Sequence, residues 1–211
     1  MPYQVLIVDD QIMSRQLFEN FVSSSENYRV AASIETAKVA DAYCAGRPID
    51  LAIIDVVMKD GSSGLDAAAR IKSSYPATKV IIVTSMPDAM FLKRAKEIGV
   101  NAFWYKEVQE LPMREVMDRV MAGETVFPDS PPVTQLGFAK STELTERELD
   151  VLRLLAEGLT DREIAERLYL SLSTVRYHVN HLISKTGQSS RTELAVNAVR
   201  SGIAIPNTGE L

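Results

Sequence analysis

Short apolar runs alternate with amphipathic stretches through the first part of the chain. Gln4 to Val8, Arg29 to Ser33, Leu51 to Asp55, Val80 to Thr84 and Ala102 to Tyr105 have the length and β-branched content of strands. Each run is followed by enough chain for a crossover helix. Met13, Leu17 and Phe21 recur at four-residue spacing and predict the inward face of the first helix. Phe91, Leu92, Ala95 and Ile98 share one face of a later helix, with Gly99 placed to end it. Strands buried on both faces and alternating with helices predict an α/β unit of the (βα)5 kind, a parallel sheet with helices on either side.

After a helix ending near Ala122 the pattern breaks. Gly123 to Ser141 contains Pro128, Pro131 and Pro132 and no sustained apolar period, so both helix and sheet are disfavoured there. The chain is therefore divided into a first domain at 1–123, a linker at 124–141 and a second domain at 142–211. From Leu144 onward the pattern is helical, in four short amphipathic segments separated by Gly158, Leu170–Ser171 and Gly187. Thr145 and Glu148 fit a capping box, while Thr160 and Ser171 stand where N-caps are needed. In the third segment Val175, Val179, Leu182, Ile183 and Thr186 fall on one side. Ser173, Tyr177, Asn180 and Ser184 face the other way, flanked by Arg176 and His181. The last helix carries Leu194, Ala195, Ala198 and Val199, a stripe that is either core or a dimer contact.

Composition narrows the function classes. Of 211 residues 46% are apolar and 24% charged, enough for a core in each half and too ordered a balance for a disordered chain. No apolar run approaches the roughly 20 residues of a membrane span, so no membrane partner and a cytoplasmic location are expected. The single cysteine, Cys44, cannot form an internal disulfide and reads as a small core residue. A net charge of −5 argues against coating nucleic acid by charge alone. Its distribution matters more: Leu170 to Thr192 holds Arg176, Lys185 and Arg191 and no acid, whereas Glu143 to Glu166 is dense in Glu and Asp.

Two constellations carry chemistry. In an open parallel sheet ligands collect at the carboxyl ends of the strands, where this chain places Asp9 and Asp10, Asp55, Thr84 and, just past the fifth strand, Lys106. Clustered carboxylates repel one another unless a cation joins them, and an oxygen-only ligand set suits Mg²⁺. Asp55 could then attack phosphorus as an ionised carboxylate, with Lys106 offsetting charge and Thr84 donating its hydroxyl. In the second domain, a positive, hydrogen-bonding helix face with an aromatic side chain is what the major groove of DNA accepts.

At these residues the chain resembles known families. Val5–Leu6–Ile7–Val8–Asp9–Asp10, Asp55–Val56–Val57–Met58, Thr84–Ser85 and Phe103–Trp104–Tyr105–Lys106 resemble the receiver domain of bacterial response regulators. Glu163–Ile164–Ala165, Ser173–Thr174–Val175–Arg176–Tyr177–His178 and Arg191–Thr192–Glu193 resemble the four-helix LuxR-type helix-turn-helix. Together they look like a two-component response regulator of the NarL/FixJ class. The resemblance implies a flavodoxin-like receiver with strand order 2-1-3-4-5 and a small all-α DNA-binding domain. It implies that a sensor histidine kinase phosphorylates Asp55. It implies that Asp10, Asp55 and the Val57 backbone carbonyl hold Mg²⁺, with Asp9 acting through a water. Thr84 would move toward the phosphoryl group, Phe103 would turn inward behind it, and Ser85 would keep access open.

For the second domain the resemblance places Arg176, Tyr177 and Asn180 against DNA and Ser173 and Thr174 beside its backbone. His181, Ser184 and Lys185 complete the expected DNA face, and His178 is expected to be structural. A homodimer through Leu194, Ala195, Ala198 and Val199 would read double-stranded DNA carrying an inverted repeat, with room for RNA polymerase as a further partner. If the basic side chains Arg176, Lys185 and Arg191 of both subunits met phosphates, the log–log salt slope would be about −5. The chain departs from the receiver pattern in having Lys59 where proline is usual and a longer stretch to Gly64. Val57 is apolar at a position that influences loss of the phosphoryl group, so slow self-dephosphorylation is expected. No enzymatic turnover is expected. An aspartyl phosphatase would need a second Asp two residues after the nucleophile, where Val57 stands. A receiver that serves as a phosphorylation-independent docking module is the remaining alternative.

Overall fold

The computed structural model describes residues 1–106 and 111–204, so positions 205–211 of the expected second domain lie outside the described residues. The chain forms two compact units, Met1–Ser85 with Ala89–Pro131, and Pro132–Leu211 with Met86–Asp88.

The first unit runs β1 (Tyr3–Val8), α1 (Ile12–Ser23), β2 (Tyr28–Ile34), α2 (Ala40–Gly46), β3 (Leu51–Asp55), α3 (Gly64–Ser74), β4 (Lys79–Thr84), α4 (Ala89–Ile98), β5 (Ala102–Tyr105) and α5 (Met113–Met121). The strands are parallel and lie in the order β2-β1-β3-β4-β5. Side chains of successive strand residues enter opposite cores. Leu6, Val8, Ile54, Ile82, Phe103 and Tyr105 pack with residues of α2, α3 and α4. Val5, Ile7, Ile53, Ile81, Val83 and Trp104 pack with residues of α1 and α5. Burial on both faces explains why the strands read as continuous apolar runs.

In α1 the core face is not the one that the spacing of Met13, Leu17 and Phe21 predicts. Met13 is 84% and Leu17 42% exposed, whereas Phe18 and Val22 are fully buried. Both stripes have helical spacing, and it is Phe18 that packs edge-on to Trp104, at 6.2 Å between centroids. The segment expected to lack sheet also differs. Val126 bridges Ala102 in parallel, accepting from Phe103 N at 3.0 Å. Further on, β6 (Gln135–Leu136) and β7 (Ala139–Lys140) form an antiparallel hairpin. Pairings this short leave no period in a sequence to read.

The second unit continues with α6 (Glu146–Ala156), α7 (Asp161–Arg167), α8 (Leu172–Thr186) and α9 (Arg191–Arg200). Thr145, Thr160, Ser171 and Ser190 cap these helices with their side chains, each cap contributing about 1 kcal/mol. Gly187 ends α8 at φ +69, in the left-handed region. The core joins Leu152, Leu155, Ile164, Val175, Leu182, Leu194 and Ala198. No helix among the described residues is long and apolar enough to cross a membrane.

Candidate functional site

The carboxyl ends of β1 and β3 bring Asp9, Asp10 and Asp55 together, with one carboxylate oxygen of each within 4.8 Å of the others. Asp9 is fully buried and Asp55 only 4% exposed. Lys106, just beyond β5, reaches both: its Nζ lies 2.7 Å from Asp9 Oδ2 and 3.3 Å from Asp55 Oδ1. The Lys106 amide also donates to the Thr84 carbonyl at 2.9 Å, tying the ends of β4 and β5. Ser14, which sequence reasoning missed, donates its hydroxyl to Asp9 Oδ2 at 2.5 Å, and the Gln11 amide donates to Oδ1 at 2.8 Å.

Burial pushes the Asp55 carboxyl up to about 7, and the Asp9 charge adds to the rise; the Lys106 ammonium and the Val56 amide oppose it. Three carboxylates packed this closely are a site that a hard divalent cation satisfies. The donor set is oxygen throughout, so the residues fit Mg²⁺. Asp55 Oδ1 is engaged by Val56 N at 3.0 Å and by Lys106. Among the described residues, Oδ2 has no hydrogen-bond donor.

The loop from Val57 to Ser63 is fastened at both ends. Val57 pairs with Ser63 across it, and the Lys59 amide donates to Asp10 Oδ2 at 2.5 Å. Asp60 accepts from Ser62 and from the Thr36 hydroxyl, which hold its carboxyl below the usual range, and it pairs with Lys38 at 3.3 Å. Gly64 passes so close beneath β3 that a Cβ there would lie 1.7 Å from the Asp55 carbonyl oxygen. Only glycine fits that approach. Thr84 is buried, Ser85 exposed, and Phe103 is 2% exposed, its ring edge-on to Tyr105 at 5.1 Å.

On α8 the outward side carries Ser173, Arg176, Tyr177, Asn180, His181 and Ser184, all exposed, with Thr174 half-buried and bonded to the Ser171 cap. The Tyr177 and His181 rings stack, 5.9 Å apart and 8° from parallel. Acids from neighbouring helices enter this face, which the acid-free stretch of sequence does not reveal. Asp161 of α7 lies 3.6 Å from Arg176 and 2.8 Å from Arg191. Glu148 of α6 is 2% exposed, accepts from Lys185 Nζ at 3.0 Å and meets His181 Nδ1 at 2.7 Å. Burial alone would raise the Glu148 carboxyl, yet hydrogen bonds from Thr145, Lys185 and His181 outweigh it and bring it down to about 2. Lys185 is thus tied within the domain. His178 is half-buried beside Tyr177.

In α9 the expected dimer stripe divides. Leu194 and Ala198 are fully buried core residues and cannot touch a partner. Ala195 is half-buried, while Val196 and Val199 are exposed and border a cleft of about 690 Å³ with Leu155, Leu159 and Arg200.

Residues 5–118 match the family described as the response regulator receiver domain, and residues 142–198 match the bacterial regulatory proteins of the luxR family. The chain is 30% identical to the fimbriae Z protein of Salmonella typhimurium over 199 residues, covering 92% of this chain and 94% of that protein. It is 28% identical to the response regulator protein VraR of Staphylococcus aureus, covering 96% and 99%. Its fold is shared with RcsB from Salmonella enterica serovar Typhimurium, solved bound to promoter P1flhDC in the presence of the phosphomimetic BeF3-. The TM-score is 0.62 at 18% identity, with 97% and 100% of the two chains covered.

Proposed function

Because the chain belongs to the response regulators of the NarL/FixJ class, a receiver domain joined to a LuxR-type helix-turn-helix, we propose that Asp55 is its phosphoacceptor and that phosphorylation there controls DNA binding through α8. The observation that carries this is Lys106 bridging Asp9 and Asp55 over a cluster of three buried or half-buried carboxylates.

Asp55 Oδ2 attacks the phosphorus of a phosphohistidine on a sensor kinase. The P–N bond breaks, the histidine leaves with its electron pair, and an acyl phosphate forms on Asp55. The Lys106 ammonium stands where it offsets charge on the transferred oxygens. Asp10, Asp55 and the Val57 carbonyl are the residues that would hold Mg²⁺, with Asp9 acting through a water; when bound, the ion neutralises phosphoryl charge. Thr84 and Phe103 supply the element with two arrangements that phosphorylation biases. On the output side Arg176, Tyr177, Asn180, His181 and Ser184 face double-stranded DNA. Two subunits meet through Ala195, Val196 and Val199, setting paired α8 helices on an inverted repeat.

The test is purified protein with Mg²⁺ and acetyl phosphate, read by intact mass and by footprinting on a randomly fragmented genomic DNA pool. One added phosphoryl group, absent from Asp55→Ala and accompanied by increased occupancy, is the expected result. Labelling that persists in Asp55→Ala, or occupancy that ignores the phosphodonor, would refute the proposal.

A further inference from the structure

We infer that Glu148 fixes the tautomer of His181 and so makes His181 a hydrogen-bond acceptor that reads an exocyclic amino group of a base in the DNA major groove. This deepens the proposed DNA-binding role of α8 and rests on it.

Glu148 belongs to α6, not to the helix that faces DNA, and its carboxylate is almost wholly removed from solvent. An ionised carboxylate accepts hydrogen bonds and donates none. The 2.7 Å contact between Glu148 Oε1 and His181 Nδ1 therefore requires the proton on Nδ1. In a neutral imidazole with that proton placed, the lone pair is on Nε2.

Charge balance favours the neutral ring. Lys185 Nζ already sits 3.0 Å from Glu148 Oε2 and 3.3 Å from Oε1, pairing the single negative charge with a single positive one. Thr145 adds its amide at 2.8 Å and its hydroxyl at 3.0 Å, filling the remaining acceptor positions on Oε2. The groups that meet this ring are Glu148 from α6 and Tyr177 from α8, while Lys185 and Thr145 reach it through Glu148. None of them demands an imidazolium.

Position gives this tautomer a use. The imidazole side chain is 49% exposed and lies flat on the 64%-exposed Tyr177 ring, so its plane is set from two directions, by the carboxylate and by the stack. A neutral ring with Nε2 bare cannot donate to a phosphate or to the acceptor edge of guanine. It can accept from adenine N6 or cytosine N4, the donors that the major groove displays. Glu148 is thereby a positioning residue, and His181 the reader it orients.

The experiment uses the full chain labelled with ¹⁵N-histidine at mildly alkaline pH, together with selection from a randomised duplex DNA pool. Ring-nitrogen shifts of His181, assigned by the loss of signals in His181→Phe, should report a proton on Nδ1 and a bare Nε2. Glu148→Gln, whose amide can donate to Nδ1, should lose that pattern with circular dichroism unchanged, a change that a merely structural ion pair would not produce. His181→Phe keeps the stack on Tyr177 but no acceptor. Its selected pool should lose about tenfold of its preference for one base-pair identity at one position while the rest of the motif persists. A proton on Nε2 in the wild-type chain, or a motif unaltered by His181→Phe, would each overturn the inference alone. Failure of the wild-type chain to enrich any sequence would overturn it together with the DNA-binding proposal.

Discussion

Proline has no amide hydrogen to donate, whereas the Lys59 amide lies 2.5 Å from Asp10 Oδ2 and ties that carboxylate to the loop. Where receivers commonly have proline, this chain has a backbone donor that orients a carboxylate of the acidic cluster. Partners of metal ligands typically change affinity by about tenfold or more. Lys59→Pro should therefore weaken Mg²⁺ binding about tenfold in a calorimetric titration, while Lys59→Ala, which keeps the amide, should match the parent; equal loss in both would place the effect in the side chain. Asp55 gives a second residue-scale consequence. Its carboxyl rises from an ordinary 3.8 to about 7 in the folded chain, so the native state binds a proton more readily than the unfolded chain does. The stabilisation is complete below about 4 and is lost as pH rises through about 7. Asp55→Asn should flatten that slope, and Mg²⁺ should raise the melting temperature of the parent at pH above about 7 more than below about 5. A parent and an Asp55→Asn variant with parallel melting curves across this range would contradict the raised carboxyl.

Helix α1 shows where periodicity stops being informative. Met13, Leu17 and Phe21 form one stripe and Phe18 with Val22 another, and each alone satisfies helical spacing. What rotates the helix lies outside it: the Asp9 carboxylate receives the Gln11 amide and the Ser14 hydroxyl, and Arg15 donates to the Asp9 carbonyl at 2.7 Å. Phe18→Ala should cost about 4 kcal/mol in urea denaturation, and Met13→Ala less than about 0.5. Similar losses at the two positions would return Met13 to the core. The sheet was legible because the buried strands β1, β3, β4 and β5 need continuous apolar runs, and the acidic cluster because strand ends converge whatever the loops do. Ser14 was hidden because a serine in a first helical turn usually caps or faces solvent. Glu148 was visible as a capping-box residue, yet its contacts to His181 and Lys185, more than thirty residues away, leave no trace in local spacing. The β6–β7 hairpin was invisible for a different reason, since two residues per strand make no alternation.

Taken as a whole the chain carries a net charge of −5, and its basic residues near α8 are largely spoken for. Lys185 neutralises Glu148, a carboxylate only 2% exposed, and pulling it toward a phosphate would leave that charge buried and unpaired. Arg191 is held by Asp161 at 2.8 Å and by the Leu159 carbonyl at 2.8 Å. Arg176 is different: it stands 3.6 Å from Asp161 with 64% of its side chain exposed, so turning to a phosphate costs little. A dimer would then release about two counterions, not six, and the log–log salt slope should be about −2. Phosphorylation adds about −1.5 to −2 further charges, which oppose DNA binding at long range. Activation must accordingly come from a change of conformation or pairing, and affinity must come from base edges more than from phosphates. Fluorescence anisotropy against a selected duplex, repeated across salt concentrations, measures the slope directly. Arg176→Ala should reduce it toward zero with the base preferences retained, while a slope near −5 would mean that Lys185 and Arg191 abandon their carboxylates on binding.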